Sequence, residues 1–251
     1  MKLLSSFFCF SPILFGLVFA STNVTADEIR VAVSGNFVGT MSALVNEFES
    51  KTEHRVTIIP GSTGKHYAQI THGAPFDLFF AADSLRPELL DSKGLVEPDS
   101  RFTYAIGKLI LWGTSPKIID SKVGIVGDDF RYLAIAIPKL APYGKAAKEV
   151  LQAKGLWDEI QGKLVRGENI AQTYQFVASG NADLGFVAYS QLLIAGEPIN
   201  GSYWEVPGAL YSPIEQQAVL LRDGEASKAF LAYVKSDEAL EIIQSFGYGT
   251  R

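Results

Sequence analysis

The sequence predicts an α/β protein in two lobes, and three observations carry that prediction. From residue 27 onward, short β-rich runs alternate with apolar residues at helical spacing, the pattern of strands packed against helices. Two long apolar stretches, 104–112 and 206–221, bracket a middle block of the chain. Strands that frame a block in this way would cross between two bodies, one lobe formed by residues 27–105 and 208–251 and the other by 106–207. A single doubly wound domain would suit the alternation nearly as well. At 251 residues and 47% hydrophobic, the chain can bury a core of either kind.

The elements follow in order. Lys2 precedes an apolar stretch, 7–20, and small residues follow at Ala20-Ser-Thr and Thr25-Ala26. That is the layout of a secretory signal peptide. The run is short for a membrane span of roughly 20 residues, so residues 1–26 are read as a leader cleaved after Ala26, with Ala20 as the second choice. Ile29, Val31 and Val33 then alternate as a strand, and Phe37, Met41, Leu44 and Phe48 recur as a helix stripe. A strand is expected at 56–59, a helix from Thr63 to Ile70, and a strand at 78–82. Asp83 and Ser84 offer capping oxygens to a helix that Lys93 and Gly94 end. Beyond the long strand at 104–112, a strand is expected at 133–137, a helix from Gly144 to Lys154, and a strand within 182–189. Two helices close the chain.

Composition excludes several function classes. The chain carries 22 basic and 27 acidic residues, a net charge of −5. The leader holds one charge, Lys2, so its removal leaves −6. An acidic chain without a Lys/Arg-rich block is a poor nucleic-acid binder. The one cysteine, Cys9, leaves with the leader, so the exported protein is expected to be soluble and free of disulfides. Its loss also rules out thiol chemistry and cysteine metal sites. His54, His66 and His72 have no metal-binding spacing, and neither His-Glu-x-x-His nor Gly-x-Ser-x-Gly occurs. The pair Asp128-Asp129 reads as solvated turn. Nothing in the chain looks like an enzyme.

Two segments carry the chemistry. Val33-Ser-Gly-Asn-Phe37 and Pro60-Gly-Ser-Thr-Gly-Lys-His-Tyr67 each place small hydrogen-bonding residues where a strand gives way to a helix. First-turn N–H groups have no partner within their helix, and the dipole there is positive. Two such ends facing each other would hold an anion. Gly61-Ser-Thr-Gly-Lys65 is not a nucleotide phosphate loop, because Ile59 stands where the pattern needs glycine and His66 follows the lysine. Asn36 could cap the helix or donate its amide to an oxyanion; Ser62 has the same two readings. Tyr143, at a helix entry after Pro142, could reach across a cleft or sit in a core.

These turns, together with Gly73-Ala-Pro-Phe-Asp-Leu-Phe, Lys154-Gly-Leu-Trp157, Gly185-Phe-Val-Ala188 and Gly247-Tyr-Gly249, resemble the molybdate-binding periplasmic proteins of ABC importers, a branch of the type II solute-binding proteins. The likeness runs from Ile29 to Gly249. It implies two lobes, each a mainly parallel sheet flanked by helices, closing on molybdate or tungstate in the cleft between them. It implies a monomer in the periplasm that delivers its ligand to an inner-membrane permease and needs no cofactor. Carried over by position, the contacts fall on Asn36, Ser62, Thr63, Tyr143 and the backbone of Ile170, with Ala82 and Ala188 at matching strand ends. Some family members have Ser at the Asn36 position and Ala at Tyr143.

Neutral donors suffice for such a ligand. Each hydrogen bond to a charged group is worth roughly 1.5–3 kcal/mol, and micromolar binding needs about 8 kcal/mol. A site of donors alone suits a fully ionised oxyanion, whereas hydrogen phosphate needs an acceptor that these turns lack. Sulfate or another tetrahedral oxyanion remains the alternative, and only pocket size separates it. Lys65 is read as a surface charge that steers the anion.

Overall fold

The computed structural model describes residues 28–250 except 116–118, 121–123, 126–129 and 194–197. The leader, Cys9 and Asp128-Asp129 lie outside the described residues. The chain runs β1 (Glu28–Ser34), α1 (Val38–Lys51), β2 (Arg55–Gly61), α2 (Thr63–Thr71), β3 (Leu78–Phe80) and α3 (Leu85–Ser92). It continues through β4 (Phe102–Gly107), β5 (Leu109–Gly113), β6 (Ile119–Asp120), β7 (Gly124–Ile125), β8 (Leu133–Ala136) and α4 (Pro142–Ala153). The remainder is β9 (Leu164–Gly167), α5 (Ile170–Ala178), β10 (Leu184–Ala188), β11 (Ser202–Glu205), β12 (Ile214–Leu220), α6 (Glu225–Val234) and α7 (Asp237–Ser245).

The strands form two five-stranded sheets, ordered β2-β1-β3-β12-β4 and β11-β5-β10-β8-β9, with β6 and β7 paired separately. Each sheet belongs to one lobe of a two-lobe fold. Both sheets are mainly parallel, as expected, with four strands of five pointing one way and one reversed. β1 pairs parallel with β2 and β3, but β12 is antiparallel to β3 and β4. In the second sheet β8 is parallel to β9 and β10, while β5 is antiparallel to β10 and β11. A helical crossover returns the chain parallel to its start. β5 and β12 instead enter their sheets directly from the other lobe, without that crossover.

The predicted strand over 104–112 is in fact two strands. Lys108 alone separates β4 in the first sheet from β5 in the second, so the chain changes lobes within one residue. It returns along 206–213 into β12, whose Ile214 pairs with Gly107. The C-terminus closes on the same strand, where Ile106 and Gly249 exchange backbone hydrogen bonds at 2.7 and 2.9 Å. That contact sets Tyr248 edge-on to Phe37, ring centres 5.3 Å apart, while Tyr104 packs on the other edge of Phe37 at 4.6 Å. Aromatic burial at this junction fixes the turn that leads into α1.

Most local signals hold. Ser62 caps α2 by accepting from Lys65 N–H at 3.3 Å. Gly94, just past α3, takes φ +66°, a conformation glycine enters without a steric penalty. Asp83 rather than Ser84 supplies the capping oxygen of α3, accepting from Arg86 N–H at 3.1 Å. Helix α5 was not anticipated, although Asn169 caps it through Gln172 N–H at 2.9 Å and Ile170, Thr173 and Val177 give it a buried face.

Candidate functional site

Four strand-to-helix turns converge on one narrow cavity of about 10 Å³. Two come from the first lobe, residues 34–36 ahead of α1 and 61–63 ahead of α2. Two come from the second, residues 141–143 at the start of α4 and 169–170 at the start of α5. Backbone N–H groups in the first turns of α2, α4 and α5 have no acceptor inside their own helix, and each helix directs its positive end here. No charged residue lines the cavity. It is a neutral enclosure rich in donors, closed from both lobes.

The hydroxyls are arranged for donation. Ser34 Oγ and Thr63 Oγ1 lie 2.6 Å apart, and both accept from Ala82 N–H at 3.1 Å. Two hydroxyls carry two hydrogens, and their mutual bond uses one. The pair therefore retains a single O–H to donate. Ser62 accepts from Lys65 N–H, which leaves its own hydrogen for the cavity. The phenol of Tyr143, fully buried, is held well above its ordinary pKa by burial first and by the neighbouring Tyr248, Tyr104 and Tyr211. It therefore stays protonated and able to donate. Tyr104 and Tyr248 are raised by burial in the same way.

The structure brings Asn36, Ser62, Thr63, Tyr143, Ile170 and Ala82 to the cavity wall. Two of these take roles other than those expected. Asn36 is no helix cap, and its amide hydrogens are directed into the protein, to Gln216 Oε1 at 2.7 Å and Tyr248 Oη at 3.0 Å. Ala82 orients the two hydroxyls with its N–H. Ala188 is not among the cavity-lining residues; it is fully buried and donates its N–H to Gln191 Oε1 at 3.0 Å. Gln191 also donates to the Ile170 carbonyl at 3.2 Å, so Ala188 serves the start of α5 indirectly. Sequence reasoning did not assign Ser34, although it lies in the same turn as Asn36. It also passed over Gln216, a polar residue with no exposed surface inside an apolar strand.

Around the cavity the lobes touch through polar contacts. Gly64 N–H donates to Leu140 O at 2.9 Å, Ser190 Oγ to Asn36 O at 3.1 Å, and Arg86 Nη2 to Lys139 O at 2.9 Å. Lys65 pairs with Glu168 at 3.0 Å on the exposed rim. A wider cleft of about 290 Å³ adjoins through Ala82 and Pro142. Its charged groups include the pairs Arg86 with Asp83 and Lys145 with Glu149, so it offers no unopposed charge from these to an ion. Among the described residues no cluster of His, Cys, Asp and Glu could hold a metal ion.

Comparison with known proteins agrees with this geometry. Residues 29–249 match the family model of bacterial extracellular solute-binding proteins. The chain is 47% identical over 228 residues to the molybdate-binding protein ModA of Azotobacter vinelandii, covering 89% of this chain and 90% of that protein. It is also 47% identical to the ModA of Rhodobacter capsulatus, covering 90% and 89%. The solved structure of the Azotobacter vinelandii periplasmic molybdate-binding protein superposes with a TM-score of 0.85 at 42% identity, over 89% of this chain and 99% of that one. A cavity of helix starts closed between two lobes, and a family match over residues 29–249, lead to one conclusion: this chain belongs to the bacterial extracellular solute-binding proteins.

Proposed function

We propose that the protein captures molybdate in the periplasm and delivers it to an ABC importer, and that tungstate enters the same site. One observation carries the reading: the cavity is enclosed by four helix starts and hydroxyl donors and has no charged lining residue. Such a wall favours a fully ionised, compact oxyanion over an anion that must donate a proton. Relatives at 47% identity that bear the name molybdate-binding protein support the choice of ion. The protein is a binding protein and not an enzyme, as its relatives at 47% identity and the solved structure it matches are molybdate-binding proteins.

The contacts we assign to the ligand are the hydroxyls of Ser62, Tyr143 and the Ser34–Thr63 pair, the amide of Asn36, and the N–H groups of the helix starts, including that of Ile170. The lobes are taken as residues 27–107 with 214–251 and as residues 109–205, two residues past the boundary at 105 that the sequence suggests, with Lys108 and 206–213 as the crossings. Export by a leader of residues 1–26, a monomeric state and docking on an inner-membrane permease complete the proposal. Calorimetric titration with molybdate, tungstate, sulfate and phosphate tests it. Molybdate and tungstate should bind with micromolar or tighter affinity, and phosphate should give no heat. Sulfate binding without molybdate binding would replace the ligand and keep the site.

A further inference from the structure

Three polar atoms in and beside the cavity wall are buried with no hydrogen-bond partner: Asn36 Oδ1, Gln216 Nε2 and Tyr143 Oη. Their residues are at most 3% exposed. Meanwhile the opposite ends of the two amides are crowded with partners. Gln216 Oε1 accepts from Asn36 Nδ2 at 2.7 Å and from Tyr104 Oη at 3.2 Å, and Asn36 Nδ2 also reaches Tyr248 Oη at 3.0 Å. Asn36 thus turns both amide hydrogens inward. An unpaired carbonyl oxygen on the wall of an oxyanion site is doubly unfavourable: it is desolvated without compensation, and it repels the ligand.

We propose that Asn36 and Gln216 form a coupled amide pair whose ends exchange together around the bound anion, with Gln216 as the positioning residue that turns the Asn36 donors toward it. This rests on the oxyanion reading above. A half-turn of each planar amide swaps oxygen for nitrogen and leaves the packing volume unchanged. Gln216 Nε2 then donates to Asn36 Oδ1 and to the Tyr104 hydroxyl, which passes its own hydrogen to Ala81 O at 3.1 Å. Tyr248 moves its hydrogen from the Asn36 backbone carbonyl, at 2.8 Å, to Asn36 Oδ1, and Ser190 keeps that carbonyl at 3.1 Å.

Gln216 Oε1 moves to the side where Tyr143 lies. A Cβ built on Gly107 would be 2.2 Å from Tyr143 Oη and 3.1 Å from Gln216 Nε2, so both groups meet over the same spot on β4. After the exchange each of these hydroxyl hydrogens has an acceptor, that of Tyr143 being shared between Gln216 Oε1 and the anion. The group still unpartnered is the Asn36 NH2, which an oxyanion satisfies. Tyr143 stands on α4 of the second lobe and Gln216 on β12 of the first, so the Tyr143–Gln216 bond ties the favoured amide orientation to lobe closure.

Neutron diffraction from perdeuterated crystals of the protein with molybdate reads the amide orientation directly. The expected result has Asn36 deuterons facing the anion and Gln216 Nε2 directed at Asn36 Oδ1. Asn36 Nδ2 still directed at Gln216, with molybdate in the cavity, would overturn the inference. In solution, Gln216→Met keeps the side chain's length without an amide. Its molybdate affinity should fall by about tenfold to a hundredfold, and the Asn36 side-chain 15N–1H signals should no longer shift on titration as they do in the parent. Parent-like affinity and shifts in that variant would also overturn the proposal. Failure of the unsubstituted protein to bind molybdate or any other oxyanion is a separate result, which removes the oxyanion reading and this inference with it.

Discussion

At the residue scale, the site works by fixing how many hydrogens each group has left to give. The Ser34–Thr63 pair is the clearest case, because Ala82 N–H engages both oxygens and leaves one donor between them. Asn36 decides more than its own contact. As a helix cap it would tolerate Asp with little loss of fold, but it makes no cap bond and sits 3% exposed against Gln216 Oε1. Asn36→Asp would therefore bury a carboxylate against a carbonyl oxygen, and breaking a buried polar pairing in this way costs about 3–5 kcal/mol of stability. Beside a dianion, the same charge at about 4 Å adds roughly 8 kcal/mol of repulsion at an effective dielectric near 20. Thermal melting should show a lower Tm, and calorimetry should show molybdate affinity reduced by several powers of ten. Affinity within a few-fold of the parent would place Asn36 outside the anion's reach.

At the element scale, two contacts make the turns dependent on what lies behind them. His66 on α2 is buried against Phe76 and Phe79, and a Cβ on Gly61 would be 2.6 Å from its Nε2. Burial, aided by Lys65 and opposed by the Gln69 hydrogen bond, lowers its pKa below the ordinary value of about 6.5. The unfolded chain then binds the proton more readily, so stability rises with pH across the window between the lowered value and 6.5. The contribution is complete above about pH 6.5 and is lost as the pH falls through that window. Denaturant melts from pH 8 to 5 should show a steeper acid loss in the parent than in His66→Gln; parallel curves would remove His66 as the cause.

Gly107 on β4 is the second contact, since its missing Cβ is the space that Tyr143 Oη fills at 2.2 Å. Gly107→Ala must push the phenol back toward the second lobe. It should weaken molybdate binding by about tenfold or more, the worth of one hydrogen bond to a charged group, although residue 107 lines no part of the cavity. Unchanged calorimetric affinity would show that Tyr143 does not serve the ligand.

At the scale of the whole molecule, the proposed site makes the ligand a bridge between lobes that the chain joins by two crossings, one at Lys108 and one along 206–213. The polar contacts of Gly64, Arg86 and Ser190 across the cleft hold a closed form. The exposed Lys65–Glu168 pair adds at most about 1 kcal/mol, as rim pairs do. A ligand that needs donors from both sides binds the closed form alone and shifts the population toward it. Small-angle scattering should therefore give a smaller radius of gyration with molybdate than without. The same radius in both would mean that closure does not depend on the anion.

The sequence by itself determined the α/β alternation and the two small-residue turns at 34–36 and 61–63 that line the cavity. These rest on local signals: apolar periodicity, capping residues and small residues at strand exits. It also singled out Tyr143, because Pro142 marks a helix entry whatever that helix packs against. Tertiary structure alone decided the rest. The run 104–112 reads as one strand because both halves are equally apolar, and only the separate pairing of β4 and β5 splits it at Lys108. Each sheet carries one reversed strand, β12 or β5, because that strand enters from the opposite lobe, and no residue pattern records that direction. Ala188 resembles Ala82 in sequence, yet its N–H is captured by Gln191 while that of Ala82 sets two hydroxyls at the cavity. Asn36 and Gln216, 180 residues apart, meet only in the folded chain, since hydrogen-bond partnership across such a span is fixed by packing and not by spacing.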